Sequence, residues 1–286
     1  MLKKITALIS AMALAVCSSS CTKDPEGGNG GGSSNPADTI HDFTMTFLDV
    51  GKADAIILQS QDSTVLIDCG EKDDGKKIQA KLEEGGVTEI DALIITHFDK
   101  DHVGGASKII KNFDIKNIYT PNYTGNNEES EKYRQALDTK GITPNLLTSD
   151  ITFTAGEVEY TIYAPKKLSY GPDNDNDFSL VTKAVHGSNT MLFAGDAMED
   201  RIEEIMDIGQ CTLLKMPYHG RKITNLGPFL KAVMPQYAVT CTSATEFANT
   251  TQKLLKNMNI PSYATCYNGT ITAVSDGTKI TITTER

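Results

Sequence analysis

Between Ile94 and Gly105 the chain reads IITHFDKDHVGG. Two of its five histidines, His97 and His102, share six residues with Asp99 and Asp101. Imidazole nitrogens and carboxylate oxygens at that density suit Zn²⁺, Mn²⁺ or Fe²⁺ and disfavour soft Cu(I). Carboxylates so close would repel one another unless a cation or protons neutralised them. Period-two spacing puts His97 and Asp99 on one side of the extended segment. Asp101 and His102 fall on the turn that follows, where they can face a second nearby centre.

Three more apolar runs end in the same manner. VLIDCG closes on Asp68, MLFAGDA on Asp196 and LLKMPYHG on His219. Sheet folds gather functional groups at strand ends, because the sheet fixes the backbone while the loop frees the side chain. Asp196 would come from a separate strand and could bridge two ions, and His219 from a third. Two ions about 3.5–4 Å apart can share a hydroxide and clamp the oxygens of an ester.

The elements that must carry these groups alternate in type. FTMTFLDV, DAIILQS and STVLIDC read as strands, DDGKKIQAKLEEGG as a helix and IDALIITH as a strand. GGASKIIKNF is a helix, IKNIYT a strand, and NEESEKYRQALDTKG a helix closed by Gly141. Further on, EVEYTIYAP and CTLLKMP are strands, and FSLVTKAVHGSNTMLFAGD is a hairpin turning at Gly187–Asn189. MEDRIEEIMDIG and TTQKLLKNMN are helices, and a final hairpin turns at Asp276–Gly277. Strands open each half and helices alternate with them, an α/β pattern that fits four layers of helix, sheet, sheet and helix.

The N-terminus has a different purpose. Lys3 and Lys4 precede an apolar stretch of about a dozen residues, too short for a finished membrane span but right for a secretory signal. Small residues then lead to Cys21, with Cys17 as a rival position. This resembles a bacterial lipoprotein signal, which implies a lipid on the Cys21 thiol, a membrane contact through that lipid and a place in the cell envelope. Residues 1–21 are therefore assigned as the signal, 22–39 as a Gly/Ser-rich tether and 40–286 as one folded domain. Export permits disulfides, and Cys241 and Cys266 each end a β-rich run, but four buried thiols are the favoured reading. The net charge of −10 weighs against a protein that coats duplex nucleic acid.

The spaced motifs carry a resemblance. His-x-Asp-x-Asp-His-x-Gly-Gly, the Asp-x-Gly before it and the Gly-Asp and His-Gly after it resemble the metallo-β-lactamase superfamily. FLDVGKADAIIL, NDFSLV and LKMPYHG are most similar to the hydrolase domains of ComEC-type competence proteins. The resemblance implies a four-layer αββα sandwich and one or two divalent ions, Zn or Mn. It implies that His97 and Asp99 hold a first ion, that Asp101 and His102 hold a second, that Asp196 bridges them, and that His219 completes the second site or lies beside it. Asp68 would orient a histidine from behind. A metal-held hydroxide would attack, with Asp101 holding its water.

Two positions depart from the pattern. Tyr218 stands where ComEC-type chains have a second histidine, and is a candidate proton donor or substrate contact. No histidine suits the place before the Gly-Asp strand, because His186 falls at a hairpin turn. Asp175, Asn176 or Asp177 is left to fill it, with Asp177 preferred. Arg221 and Lys222, next to His219, are candidates for a substrate phosphate. The reading is thus an exported phosphoester hydrolase acting on a small-molecule or single-stranded nucleic-acid substrate, with no protein partner expected. Cleavage of another ester, lactone, thioester or lactam, and a catalytically weak binding protein, are the rivals.

Overall fold

A computed structural model describes residues 40–171 and 175–286. The signal, the tether and Cys21 lie outside the described residues.

The first sheet takes the N-terminal strand-like runs and the last hairpin. Its strands are β1 (Phe43–Phe47), β2 (Ile56–Ser60), β3 (Ser63–Ile67), β4 (Glu89–Ile94), β5 (Asp114–Pro121) and β6 (Asn145–Leu147). The second sheet is built from β7 (Ile151–Ala155), β8 (Val158–Tyr163), β9 (Val181–His186), β10 (Asn189–Phe193), β11 (Leu213–Lys215), β12 (Tyr237–Thr240) and β13 (Ser262–Ala264). The chain then returns to the first sheet as β14 (Ile271–Ser275) and β15 (Ile280–Thr284). The orders are β15-β14-β1-β2-β3-β4-β5-β6 and β13-β12-β11-β10-β9-β8-β7.

Alternating side chains explain the layering. Phe43, Met45 and Phe47 of β1 point into the space between the sheets, where Phe47 stacks on Phe193 of the second sheet. Leu66 and Leu93, one residue out of phase with that face, instead bury against α1 (Gly75–Glu84), α3 (Ala106–Asn112) and α4 (Glu128–Lys140). The opposite face of the second sheet is covered by α5 (Glu199–Glu204), α6 (Leu226–Val233) and α7 (Asn249–Asn257). Strands with apolar residues on both faces are what two covered sheets require. The four expected layers are present.

Some local expectations change. α5 is six residues long, half the expected helix, and α6 was not foreseen at all. α6 carries Pro228 in its first turn, where the missing N–H costs no helical bond. Gly104 and Gly105 lead into α3, with Gly105 as its N-cap residue. A short helix, α2 (Lys100–Val103), precedes them, and a Cβ on Gly105 would lie 2.3 Å from the Cys69 carbonyl oxygen. Close backbone approach, not left-handed geometry, therefore demands these glycines.

β12 and β13 pair, yet Cys241 and Cys266 just beyond them are free thiols, as are Cys69 and Cys211. Among the described residues no helix is long and apolar enough to cross a membrane.

Candidate metal centre

The site lies where the two sheets are stitched together. The Leu180 N–H, leading into β9, donates to the Thr96 carbonyl beyond β4 at 2.9 Å. The Asp196 N–H donates to the Ser179 hydroxyl at 3.0 Å. Strand ends far apart in sequence are thereby locked side by side.

Asp68 opens the site and occupies a left-handed backbone conformation, φ 58°. Both the N–H and the hydroxyl of Thr96 donate to its carboxylate, at 2.8 and 2.7 Å. Its Oδ2 lies 2.8 Å from His102 Nδ1. A carboxylate can only accept, so the proton sits on Nδ1 and the Nε2 lone pair faces inward. Asp68 thus lies against the outer edge of the His102 ring.

His219 is set by a different device. Tyr218 and His219 both have positive φ, 48° and 50°, followed by Gly220 at 70°. Such strain costs on the order of 1–3 kcal/mol per residue and persists where surrounding structure enforces it. His219 Nδ1 donates to the Cys241 carbonyl at 3.0 Å, which again directs Nε2 inward.

The two Nε2 atoms meet at 3.3 Å. Asp196 joins them, with Oδ2 3.0 Å from His219 Nε2 and Oδ1 3.5 Å from His102 Nε2. Asp101 Oδ2 stands 3.6 Å from His219 Nε2. His102, His219 and Asp196 are at most 3 % exposed. Two Nε2 atoms turned toward each other in a buried space need a cation or protons between them. Asp196 Oδ1 is also buried without a hydrogen-bond partner. The donor set Asp101, His102, Asp196 and His219 therefore fits a divalent ion in its chemistry and its unmet bonding.

His97 and Asp99 form a thinner corner beside this one. His97 Nε2 lies 3.7 Å from Asp99 Oδ2 and is buried without a hydrogen bond, and its ring centre is 4.1 Å from that of His102. Asp177 does not supply a third donor or a substrate contact there. Its Oδ1 accepts from the Met198 and Arg201 N–H groups at 2.7 and 3.2 Å and caps α5. Asn176 lines the cleft instead.

Two buried charges escaped the sequence reading, Asp54 and Lys215. The Lys215 ammonium pairs with Asp54 Oδ2, donates to the Gly195 carbonyl at 3.0 Å and stands 3.8 Å from Asp196 Oδ1. Asp54, His102, Asp196 and His219 all offer donor atoms within 4.8 Å of one another. Asp54 nonetheless faces the Nδ1 edges of the rings, 3.5 Å from His219 and 3.9 Å from His102, so it supports them from behind. Each is a charge set in an apolar run, ADAIIL and LLKMP, which hints at burial but does not name its partner.

Electrostatics follow from this packing. Burial would lower the His219 pKa, but the Asp196 and Asp54 carboxylates outweigh it and push it up to about 9. His102 is likewise raised, against burial, by Asp196 and Asp68. Burial opposes ionisation of Asp101, yet His102 and Lys52 bring it down to about 2. Burial also opposes ionisation of Asp54, and Lys215 holds it below the usual range.

A cleft of about 370 Å³ opens above the centre, lined by Lys52, Asp99, Asp101, Asn176, Tyr218 and Arg221 among others. Arg221 lies over the Tyr218 ring, 5.1 Å from its centroid, and pairs with Glu246. Lys222 is exposed and outside the lining, so the expected basic pair is reduced to Arg221.

Comparison with known proteins agrees with this geometry. The family model described as the metallo-beta-lactamase superfamily matches residues 48–244. ComE operon protein 3 of Bacillus subtilis (strain 168) is 25% identical over 252 residues, covering 79% of this chain and 32% of that protein. Recombination protein 2 of Haemophilus influenzae is 27% identical over 199 residues, covering 67% and 23%. These relatives bear out the ComEC-type resemblance, and the chain spans less than a third of either. Among solved structures, the metallo-beta-lactamase fold protein YhfI of Bacillus subtilis superposes with a TM-score of 0.54 at 14% identity, over 78% of this chain and 95% of its own. A protein of Parabacteroides distasonis described as a putative metal-dependent hydrolase gives 0.52 at 14%, over 78% and 92%. At that identity the superpositions show the fold alone.

Proposed function

From a chain that belongs to the metallo-β-lactamase superfamily, we propose a metal-dependent phosphoester hydrolase, of phosphodiesterase or nuclease-like type. The observation that carries the reading is the four-donor corner of Asp101, His102, Asp196 and His219 at the floor of an open cleft. A divalent ion held there supplies Lewis acidity to the scissile ester and to the attacking water.

The chain's own residues do the rest. Asp68 and the Cys241 carbonyl keep both imidazoles in the tautomer that offers Nε2. Lys215 and Asp54 fix the back of the centre and neutralise one another. Asp101 is ionised at neutral pH and positioned to accept a proton from water at the cleft floor. Tyr218 lines the cleft with its hydroxyl 3.3 Å from Arg221 Nη1, placed to meet a leaving group.

Phosphoric esters are favoured for two reasons. Asp99 supplies an oxygen donor and hardens the thinner corner toward oxygen-preferring ions such as Mn²⁺. The relatives are competence and recombination proteins by name. With a net charge of −10, a small or single-stranded substrate is preferred over duplex DNA. Residues 1–21 support export and a lipid on Cys21, which Cys21→Ser would test by releasing the protein from membranes. The activity itself is tested with bis-p-nitrophenyl phosphate and nitrocefin, Mn²⁺ and Zn²⁺ being supplied separately. Turnover of the diester supports the reading, and turnover of nitrocefin alone overturns it.

A further inference from the structure

The cleft has a cation that neither the motifs nor the basic pair pointed to. Lys52 sits on the loop between β1 and β2, directly after Gly51 with its left-handed φ of 69°. That loop is tied to the centre, because the Asp54 N–H donates to the Asp101 carbonyl at 3.1 Å. The Lys52 side chain is 31 % exposed, and its Nζ lies 2.8 Å from Asp101 Oδ2. It lines the same cleft as Tyr218 and Arg221.

The other cations nearby are differently placed. Lys100 also lines the cleft, but it is exposed on α2, and among the described residues no ion pair ties it to the centre's carboxylates. Arg221 is paired with Glu246 and packed on Tyr218, so its charge is largely answered. Lys215 is fully buried behind Asp54 and Asp196. Lys222 does not reach the cleft. Lys52 differs from these in being partly exposed and paired at 2.8 Å with a carboxylate that the centre itself would claim. Once Asp101 turns its charge toward a divalent ion, the ammonium beside it is left partly exposed over the cleft floor. An ammonium is a compact point charge with three donors on a flexible stem, suited to an anionic oxygen whose position shifts during reaction.

We propose that Lys52 is a substrate-binding residue that grips a non-bridging oxygen of the phosphoester, taking over the anion role expected of Lys222. This rests on the phosphoesterase reading and refines it, since a neutral carboxylic ester or lactam offers Lys52 no full charge.

The test uses the intact Mn²⁺-loaded protein and its Lys52→Met and Lys52→Arg variants. Binding of thymidine 5′-monophosphate and of uncharged thymidine is measured by calorimetry, metal content by elemental analysis, and turnover with bis-p-nitrophenyl phosphate. Lys52→Met should weaken monophosphate binding about tenfold or more, as expected for a lost hydrogen bond to a charged group. It should leave metal content unchanged and raise KM for the diester more than it lowers kcat. Lys52→Arg should restore most of the binding. Unchanged monophosphate binding in Lys52→Met overturns the inference, as does loss of the metal, because the lysine would then serve Asp101 alone. If the wild type binds monophosphate through Lys52 yet cleaves no diester, the proposed function fails while this assignment stands.

Discussion

His102 Nε2 and His219 Nε2 stand 3.3 Å apart although 117 residues separate them in the chain. Each ring is held from behind by an acceptor at Nδ1, so both present lone pairs to one space. The site is thus preorganised for a cation by hydrogen bonds that do not involve the cation.

That support gives the first prediction. Asp68→Asn keeps the volume but removes the charge that fixes the His102 tautomer. Loss of such a supporting partner typically costs about 10–100-fold in metal affinity. Competition with a chromophoric chelator would measure it, and an unchanged affinity would remove Asp68 from the account.

The imidazoles also make metal uptake pH-dependent. A raised folded pKa means that His219 is protonated below about 9 in the metal-free protein, and His102 is raised in the same sense. A divalent ion must displace those protons. Affinity should therefore rise with pH from 6 toward 9, with protons released on binding at pH 7. Calorimetry in buffers of different ionisation enthalpy would count them. In the metal-free protein the sign for stability is the reverse. The His219 contribution is complete below its unfolded pKa near 6.5 and is lost as pH rises through about 9.

Lys215 and Asp54 test the rear of the centre. Removing one member of a buried pair strands the other charge, at a cost of about 3–5 kcal/mol. Lys215→Met should accordingly lower the denaturation midpoint steeply. Lys215→Met with Asp54→Leu should recover part of the loss, because no lone charge remains. A double variant no better than the single would mean that Lys215 acts through Asp196 instead.

How far the sequence foretold this depends on the residue. Asp68, His97, Asp196 and His219 were legible because each ends an apolar run, and a strand end exposes its side chain to a shared edge. Asp54 and Lys215 were not, because their meaning is a pairing across 161 residues between two sheets. Periodicity within one strand cannot carry that information. Asp177 was misread for a related reason. It follows a polar run, DNDN, but its Oδ1 accepts from two backbone N–H groups at the start of α5. The layers were readable from strand and helix order, whereas α6 was hidden by the glycine and proline in its first turn.

Ligand binding also predicts stabilisation. An ion that binds only the folded chain adds about 4 kcal/mol at a thousandfold excess over its Kd. Mn²⁺ or Zn²⁺ should raise the melting temperature of wild type, and a chelator should reverse it. His102→Ala should show little of this shift.

The most direct measurement is the number of ions per chain in protein purified without chelators, compared with Asp196→Asn and His219→Ala. The account predicts at least one Zn or Mn per wild-type chain and near-complete loss in both folded variants. A wild type without a stoichiometric ion, or variants that keep theirs, would contradict it.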